Sequence, residues 1–279
     1  MTTEKTIVVL LGFPRSGSNH FLSVLSGFSS VSAGSEVFNW WASSVHDFKE
    51  PASITEAKFQ HLIDSLDLKI SPAEGKTGPD RFAFSDDLKR AMHQRPKETV
   101  RALAAFDDAP VYAFKIFPQH LRTGRVRKIL QLPNTLVCTL RRSPIDSFIS
   151  WKKKNLVRAF ANRDTSDVKV VLDAVEFADF LDGRKDWIDF IGSIGNPTVH
   201  FSYDAISGLK NEDLAKMQEI QFSKVDVSLG QYQGNHARFR KQDTAPDWRL
   251  KIENAEEFEE NCKTLGINPE LDLSQWPKT

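Results

Sequence analysis

TIVVLLGFPRSGSNHFLSVL, residues 6–25, sets a short apolar run against a glycine-bracketed loop and then a second apolar pattern of different period. Thr6 to Leu11 is rich in β-branched residues, too short for a helix and closed by Gly12, which predicts a strand buried on both faces. Phe21, Leu22, Val24 and Leu25 recur at helical spacing, so the loop from Gly12 to Ser18 opens a helix. Gly12 and Gly17 let the backbone curl with several N–H groups inward, and the positive end of the helix adds to them. The product is an anion cradle, to which Ser16, Ser18 and Asn19 add hydroxyl and amide donors. A nucleotide-hydrolysing loop, GxxxxGK[ST], would place lysine directly after its second glycine and Ser/Thr on magnesium. Here Ser18 takes that place and the cation comes earlier, as Arg15. The bland alternative is a glycine turn without a ligand.

Further β-rich runs follow at VYAFKIF (Val111 to Phe117), TLVCTL (Thr135 to Leu140) and TVHFSY (Thr198 to Tyr203). Helical patterns lie between them at Glu56 to Leu66, with Phe59, Leu62, Ile63 and Leu66 on one side, and at Pro144 to Arg158. A third runs from about Ser166 to Phe190 and is expected to break at Gly183. Continuous apolar strands alternating with helices predict a three-layer α/β/α domain around a central parallel sheet, P-loop-like in plan. Ligands of such sheets bind at the carboxyl ends of the strands, which gathers Gly12, Phe117 and Arg141 around one crevice. Residues 39–110 are polar and helical without a strong strand, and read as an acceptor-side insertion over that crevice within a single domain of residues 1–279.

The chain has 279 residues, 40% hydrophobic and 27% charged, enough for one substantial domain. Lys+Arg and Asp+Glu both total 37, so no net field favours nucleic acid or an anionic membrane. No apolar stretch is long enough for a membrane span. MTTEK leads into the first strand without the cleavage region of a secretory signal, which predicts a soluble cytoplasmic protein. Cys138 and Cys262 form neither a disulfide framework nor a metal spacing, and Cys138 reads as a buried small side chain.

RRSPIDSFISWKKK, from Arg141, leaves a strand, turns at Pro144 and becomes a helix, where proline suits the first turn. Arg142 stands at the strand end and Ser150 lies two helical turns in, so a guanidinium fork and a hydroxyl can close on one phosphate. Lys152, Lys153 and Lys154 fit a solvated basic helix face. Neither VYAFKIF nor TLVCTL ends in an aspartate that would help hold magnesium.

Taken together, FPRSGSN and RRSPIDSFIS make the chain resemble the sulfotransferases that use 3′-phosphoadenosine-5′-phosphosulfate (PAPS), closest to the bacterial and carbohydrate-type members. FPRSGSN is similar to the family's 5′-phosphosulfate loop, and RRSPIDSFIS to its 3′-phosphate motif. SYDAI, at Ser202 to Ile206, and RKQDTAPDWRLKIENAEEF resemble two weaker segments, the latter closing over the nucleotide. The resemblance implies that Arg15, Ser16, Gly17, Ser18 and Asn19 hold the 5′-phosphosulfate of PAPS, while Arg142 and Ser150 hold its 3′-phosphate. Tyr203, Arg240 and Lys241, with Arg238 behind them, are further candidate contacts to the nucleotide, although a strand-end tyrosine is more often core. The implied reaction moves a sulfuryl group from PAPS to a hydroxyl on a small-molecule or glycan acceptor, leaving 3′-phosphoadenosine-5′-phosphate (PAP). A cation at the loop steadies the departing phosphate, and no metal is expected to be required.

The family's small-molecule enzymes place a basic histidine after the second strand in Lys-Thr-His; here the segment reads Lys115-Ile116-Phe117, so Lys115 remains as a contact to the transferring sulfonate. Glu36, in AGSEVFNW, resembles the segment that supplies the base in bacterial members, and is the first choice provided burial raises its pKa modestly. It also suits a helix start after Ser35. His120 in FPQHLR and His20 beside the loop are the other candidates. Trp40 and Trp41 fit either a stacking wall for a sugar or an anchor in the core. A P-loop-type kinase and a nucleotide-binding module without catalysis are the rival readings.

Overall fold

The computed structural model describes residues 4–40, 52–69, 85–157, 164–234, 245 and 247–270. Five strands form one sheet: β1 (Thr6–Leu11), β2 (Val31–Ala33), β3 (Val111–Ile116), β4 (Thr135–Arg141) and β5 (Thr198–Ser202). Their order is β2-β3-β1-β4-β5, and every pairing is parallel. The helices in chain order are α1 (Ser18–Leu25), α2 (Ala52–Ser65), α3 (Asp86–Gln94), α4 (Pro96–Ala105), α5 (Thr123–Leu130), α6 (Pro144–Val157), α7 (Ala174–Gly192), α8 (Tyr203–Ile206), α9 (Asn211–Ser223) and α10 (Ala255–Thr264). None of the described helices is long and apolar enough to cross a membrane.

The period of two in a strand explains why β1 is apolar throughout. Ile7, Val9 and Leu11 face a layer built by Phe59, Leu62 and Ile63 of α2, Leu88 and Met92 of α3, Leu103 of α4, Ile129 of α5 and Trp187 of α7. Val8 and Leu10 face the opposite layer, where Phe21, Leu22 and Leu25 of α1 meet Leu214 and Phe222 of α9. The described helices of the 39–110 segment thus form much of one covering layer of the sheet. A third apolar cluster joins α6, α7 and α10 through Phe148, Phe177, Trp248 and Phe258. Truncating a core phenylalanine such as Phe114 to alanine costs about 3–5 kcal/mol.

Several boundaries differ from the sequence reading, among them the start of α2 at Ala52 rather than Glu56. The edge strand β2, only three residues long, has no apolar run to announce it. Helix α7 begins at Ala174, because the Asp173 carboxylate accepts hydrogen bonds from the N–H groups of Val175 and Glu176, and it passes Gly183 unbroken. The chain before it is extended enough for Val170 to bridge Ile252. Strand β5 stops at Ser202, whose hydroxyl accepts from the Asp204 N–H and starts α8 at Tyr203.

From β1 the chain passes through α1 to β2 on one side, and from β4 through α6 and α7 to β5 on the other. Strands β1 and β4 are neighbours, so the connections diverge between them and leave a crevice at their carboxyl ends. Gly12 to Gly17 and Arg141 to Ser143 line that opening.

Candidate active site

Two residues of the loop adopt left-handed backbone: Arg15 at φ 71° and Gly17 at φ 82°. Gly17 is required twice over, because a Cβ there would also sit 2.7 Å from the Tyr203 ring. Gly17→Ala is therefore expected to cost about 2–4 kcal/mol from backbone strain and displacement of that ring. Thermal unfolding and anion affinity should fall together. From the other side the Trp187 indole N–H donates to the Gly12 carbonyl at 3.2 Å, tying α7 to the loop.

Arg15 and Arg142 converge here. The Arg15 Nε–H donates to Ser150 Oγ at 3.1 Å, across the gap between loop and α6. Arg142 Nη1 donates to the Arg15 carbonyl, and its guanidinium lies 4.2 Å from the centroid of the Tyr203 ring. Burial, then the neighbouring Arg142, pull the Arg15 pKa below its ordinary value, against a smaller opposing effect of Tyr203. Two like charges crowd one pocket, and two buried polar atoms beside them, Ser16 Oγ and Arg142 Nε, have no hydrogen-bond partner among the described residues. Crowded cations and unsatisfied polar atoms suit this pocket to an anion. The sequence puts Arg15 and Arg142 at opposite ends of a nucleotide; the structure sets them side by side, with Arg15 on the same serine assigned to the 3′-phosphate.

The second half of the site hangs on the edge strand. Beyond Ala33 the Lys115 N–H donates to the Ser35 carbonyl at 3.2 Å, which delivers Glu36 alongside Lys115. Lys115 Nζ lies 3.1 Å from Glu36 Oε1, hydrogen-bonds Asn19 Oδ1 and is 1% exposed. The Asn39 amide donates to Glu36 Oε2, and His120 Nε2 stands 3.6 Å from the same oxygen. Burial raises the Glu36 pKa, but Lys115, His120 and the hydrogen bonds outweigh it and hold the carboxyl below its ordinary value. The expected upward shift is thus corrected: the buried ammonium of Lys115 reverses its sign. Burial pulls Lys115 itself down, against the pull of Glu36.

His120 Nδ1 accepts from the Phe117 N–H at 3.2 Å, so the proton of the neutral ring sits on Nε2, which is buried near Glu36 without a hydrogen-bond partner among the described residues. Burial lowers the His120 pKa from 6.5 to about 4, with Glu36 opposing. The unfolded chain therefore binds a proton that the folded one refuses between those values. Stability is full above pH 6.5 and falls as pH drops towards 4, by about 3 kcal/mol from this group. Denaturant titrations at pH 7 and pH 4.5 should show the loss, and His120→Gln should flatten it.

His20 turns away from this cluster, its Nε2 lying 3.2 Å from Asn211 Oδ1 at the start of α9. Ser18 is buried at the first turn of α1. Trp40 stands under Lys89 at 5.7 Å and edge-on to His93 at 5.3 Å. Trp41, Arg158, Arg238, Arg240 and Lys241 lie outside the described residues. The solvated-face reading fails for Lys153, which is 2% exposed and donates to the Thr165 carbonyl at 3.0 Å, while Lys152 pairs with Glu176. Cys138 and Cys262 are both buried. Asn39 and Trp187 touch the site without having been singled out in sequence: Asn39 closes a turn on Glu36, its N–H donating to the Glu36 carbonyl at 3.0 Å, whereas no local pattern marks Trp187.

No protein-family model and no curated protein matches the chain. Among solved structures it is similar to the sulfotransferase STF1 from Mycobacterium tuberculosis, over 83% of this chain and 70% of that one, at 11% identity and TM-score 0.46. It is also similar to a sugar kinase from Janibacter sp., over 78% of this chain and 95% of that one, at 10% identity and TM-score 0.38. The three-layer α/β/α architecture itself stands on the strand order, the parallel register and the two covering layers.

Proposed function

We propose that this protein is a cytoplasmic sulfotransferase that moves the sulfuryl group of PAPS to a hydroxyl of a carbohydrate or glycoconjugate. The observation that carries the reading is the pairing of Arg15 and Arg142 beside unsatisfied Ser16 Oγ and Arg142 Nε, with an ionised Glu36 held by Lys115 and Asn39 and tied to the same loop through the Lys115–Asn19 bond. PAPS would supply an activated sulfur whose bond to the bridging phosphate oxygen breaks as the acceptor oxygen bonds to it. Loop N–H groups with Ser16 and Ser18 would hold the 5′ end, and the adjacent Arg15 and Arg142, with Ser150 on Arg15, would share the remaining phosphate charge. Glu36 would take the acceptor's hydroxyl proton, and Asn39 and Lys115 would keep that carboxylate in place, with His120 beside it. Asn19 links loop and base through Lys115, which would put nucleotide and proton acceptor in fixed register.

Calorimetric titration with PAP and with ATP tests the nucleotide, and radiolabel transfer from PAPS to an acceptor panel tests the reaction. Tight PAP binding and label transfer are expected; preference for ATP would replace the reading with a kinase. Because arginines and Lys115 supply the neutralising charge, turnover is also expected to survive saturating EDTA, and a drop above about tenfold would contradict that role.

A further inference from the structure

Arg184, on α7 one turn before Trp187, packs against two aromatic rings. Its guanidinium carbon lies 3.2 Å from the Phe180 centroid and 4.9 Å from that of Phe13, the loop residue next to Gly12. Nη1 donates to the Phe180 carbonyl at 2.9 Å. No carboxylate of the described residues lies within ion-pair distance, and burial alone lowers the pKa of this group to about 10. Stacking holds the cation in place without neutralising it. With Nη1 engaged, the Nε–Nη2 edge is left as a two-pronged donor on a side chain that is only partly buried. Two parallel N–H bonds suit the two oxygens of a carboxylate.

The position also has a direction. Phe13 packs against the apolar cluster that contains Phe38, close after Glu36, and Leu121, next to His120. Arg184 therefore lies on the side of the sheet that carries this cluster, opposite the layer of α1 and α9.

We propose that Arg184 binds a carboxylate carried by the acceptor, so that acidic sugars are selected over their neutral counterparts. This rests on the sulfotransferase reading of the same crevice. The test titrates 4-nitrophenyl β-D-glucuronide and 4-nitrophenyl β-D-glucoside into the full-length protein, with and without PAP. The glucuronide is expected to bind about tenfold more tightly, the ratio to fall to about one in Arg184→Gln, and Arg184→Lys to keep part of it. Equal binding of the two glycosides, binding of neither, or an unchanged ratio in a folded Arg184→Gln overturns the proposal. The wild-type comparison decides even where a variant does not fold. Failure of PAP to bind, measured in its own titration, instead sinks the sulfotransferase reading.

Discussion

Glu36→Gln is expected to lower kcat by about a thousandfold while PAP affinity changes little, because the amide keeps the shape of the carboxylate and cannot take a proton. The pH profile adds a second signature. A base is competent above its pKa, and Glu36 is held below the ordinary carboxylate value despite burial, by Lys115, His120 and Asn39. Turnover should therefore stay level as pH falls through the usual glutamate range and decline only below it. Removing the charge also leaves the Lys115 ammonium, 1% exposed, with Asn19 as its remaining hydrogen-bond partner of the cluster. Loss of a buried ion-pair partner costs about 3–5 kcal/mol, so a lower Tm should accompany the lost activity. His120→Gln, by contrast, should retain turnover within about tenfold, since Asn39 and Lys115, not the ring, hold the carboxylate. Near-normal activity in Glu36→Gln would transfer the base to another group.

Arg142→Met should weaken PAP binding by about a hundredfold or more, the loss expected for a charge-assisted contact in a buried pocket. The unliganded protein should hardly notice. Arg142 gives up one bond to the Arg15 carbonyl and its stacking on Tyr203, but the repulsion that depresses Arg15 goes too. A Tm within a few degrees of wild type, with affinity collapsed, separates a ligand contact from a structural one. If Tm falls steeply while PAP still binds, Arg142 is a strut for the loop and the nucleotide pocket lies elsewhere.

The parts of this site that were legible in sequence are those written locally. Strand, loop and helix are contiguous at residues 6–25, and a strand end followed by proline gave Arg142 and Ser150 together. What stayed hidden depends on register. Whether Glu36 is raised or lowered turns on Lys115, a residue far along the chain that β2–β3 pairing sets beside it. Strand β2, too short for a pattern, makes that pairing. Likewise the roles of Trp187 and Arg184 follow from where α7 crosses the loop, and the helix itself reads as an ordinary amphipathic segment with a misplaced start. Lys153 shows the same limit in reverse: a run of three lysines suggests water, yet its helix buries the middle one.

The sheet order carries a consequence for biogenesis. Strand β1 lies in the middle, and both of its neighbours, β3 at Val111 and β4 at Thr135, are synthesised long after it. On the ribosome the run from Ile7 to Leu11 must wait, apolar and with its hydrogen-bonding edges open, until those partners emerge. Translation speed and chaperone supply should then govern the soluble yield of this chain more than its final stability does.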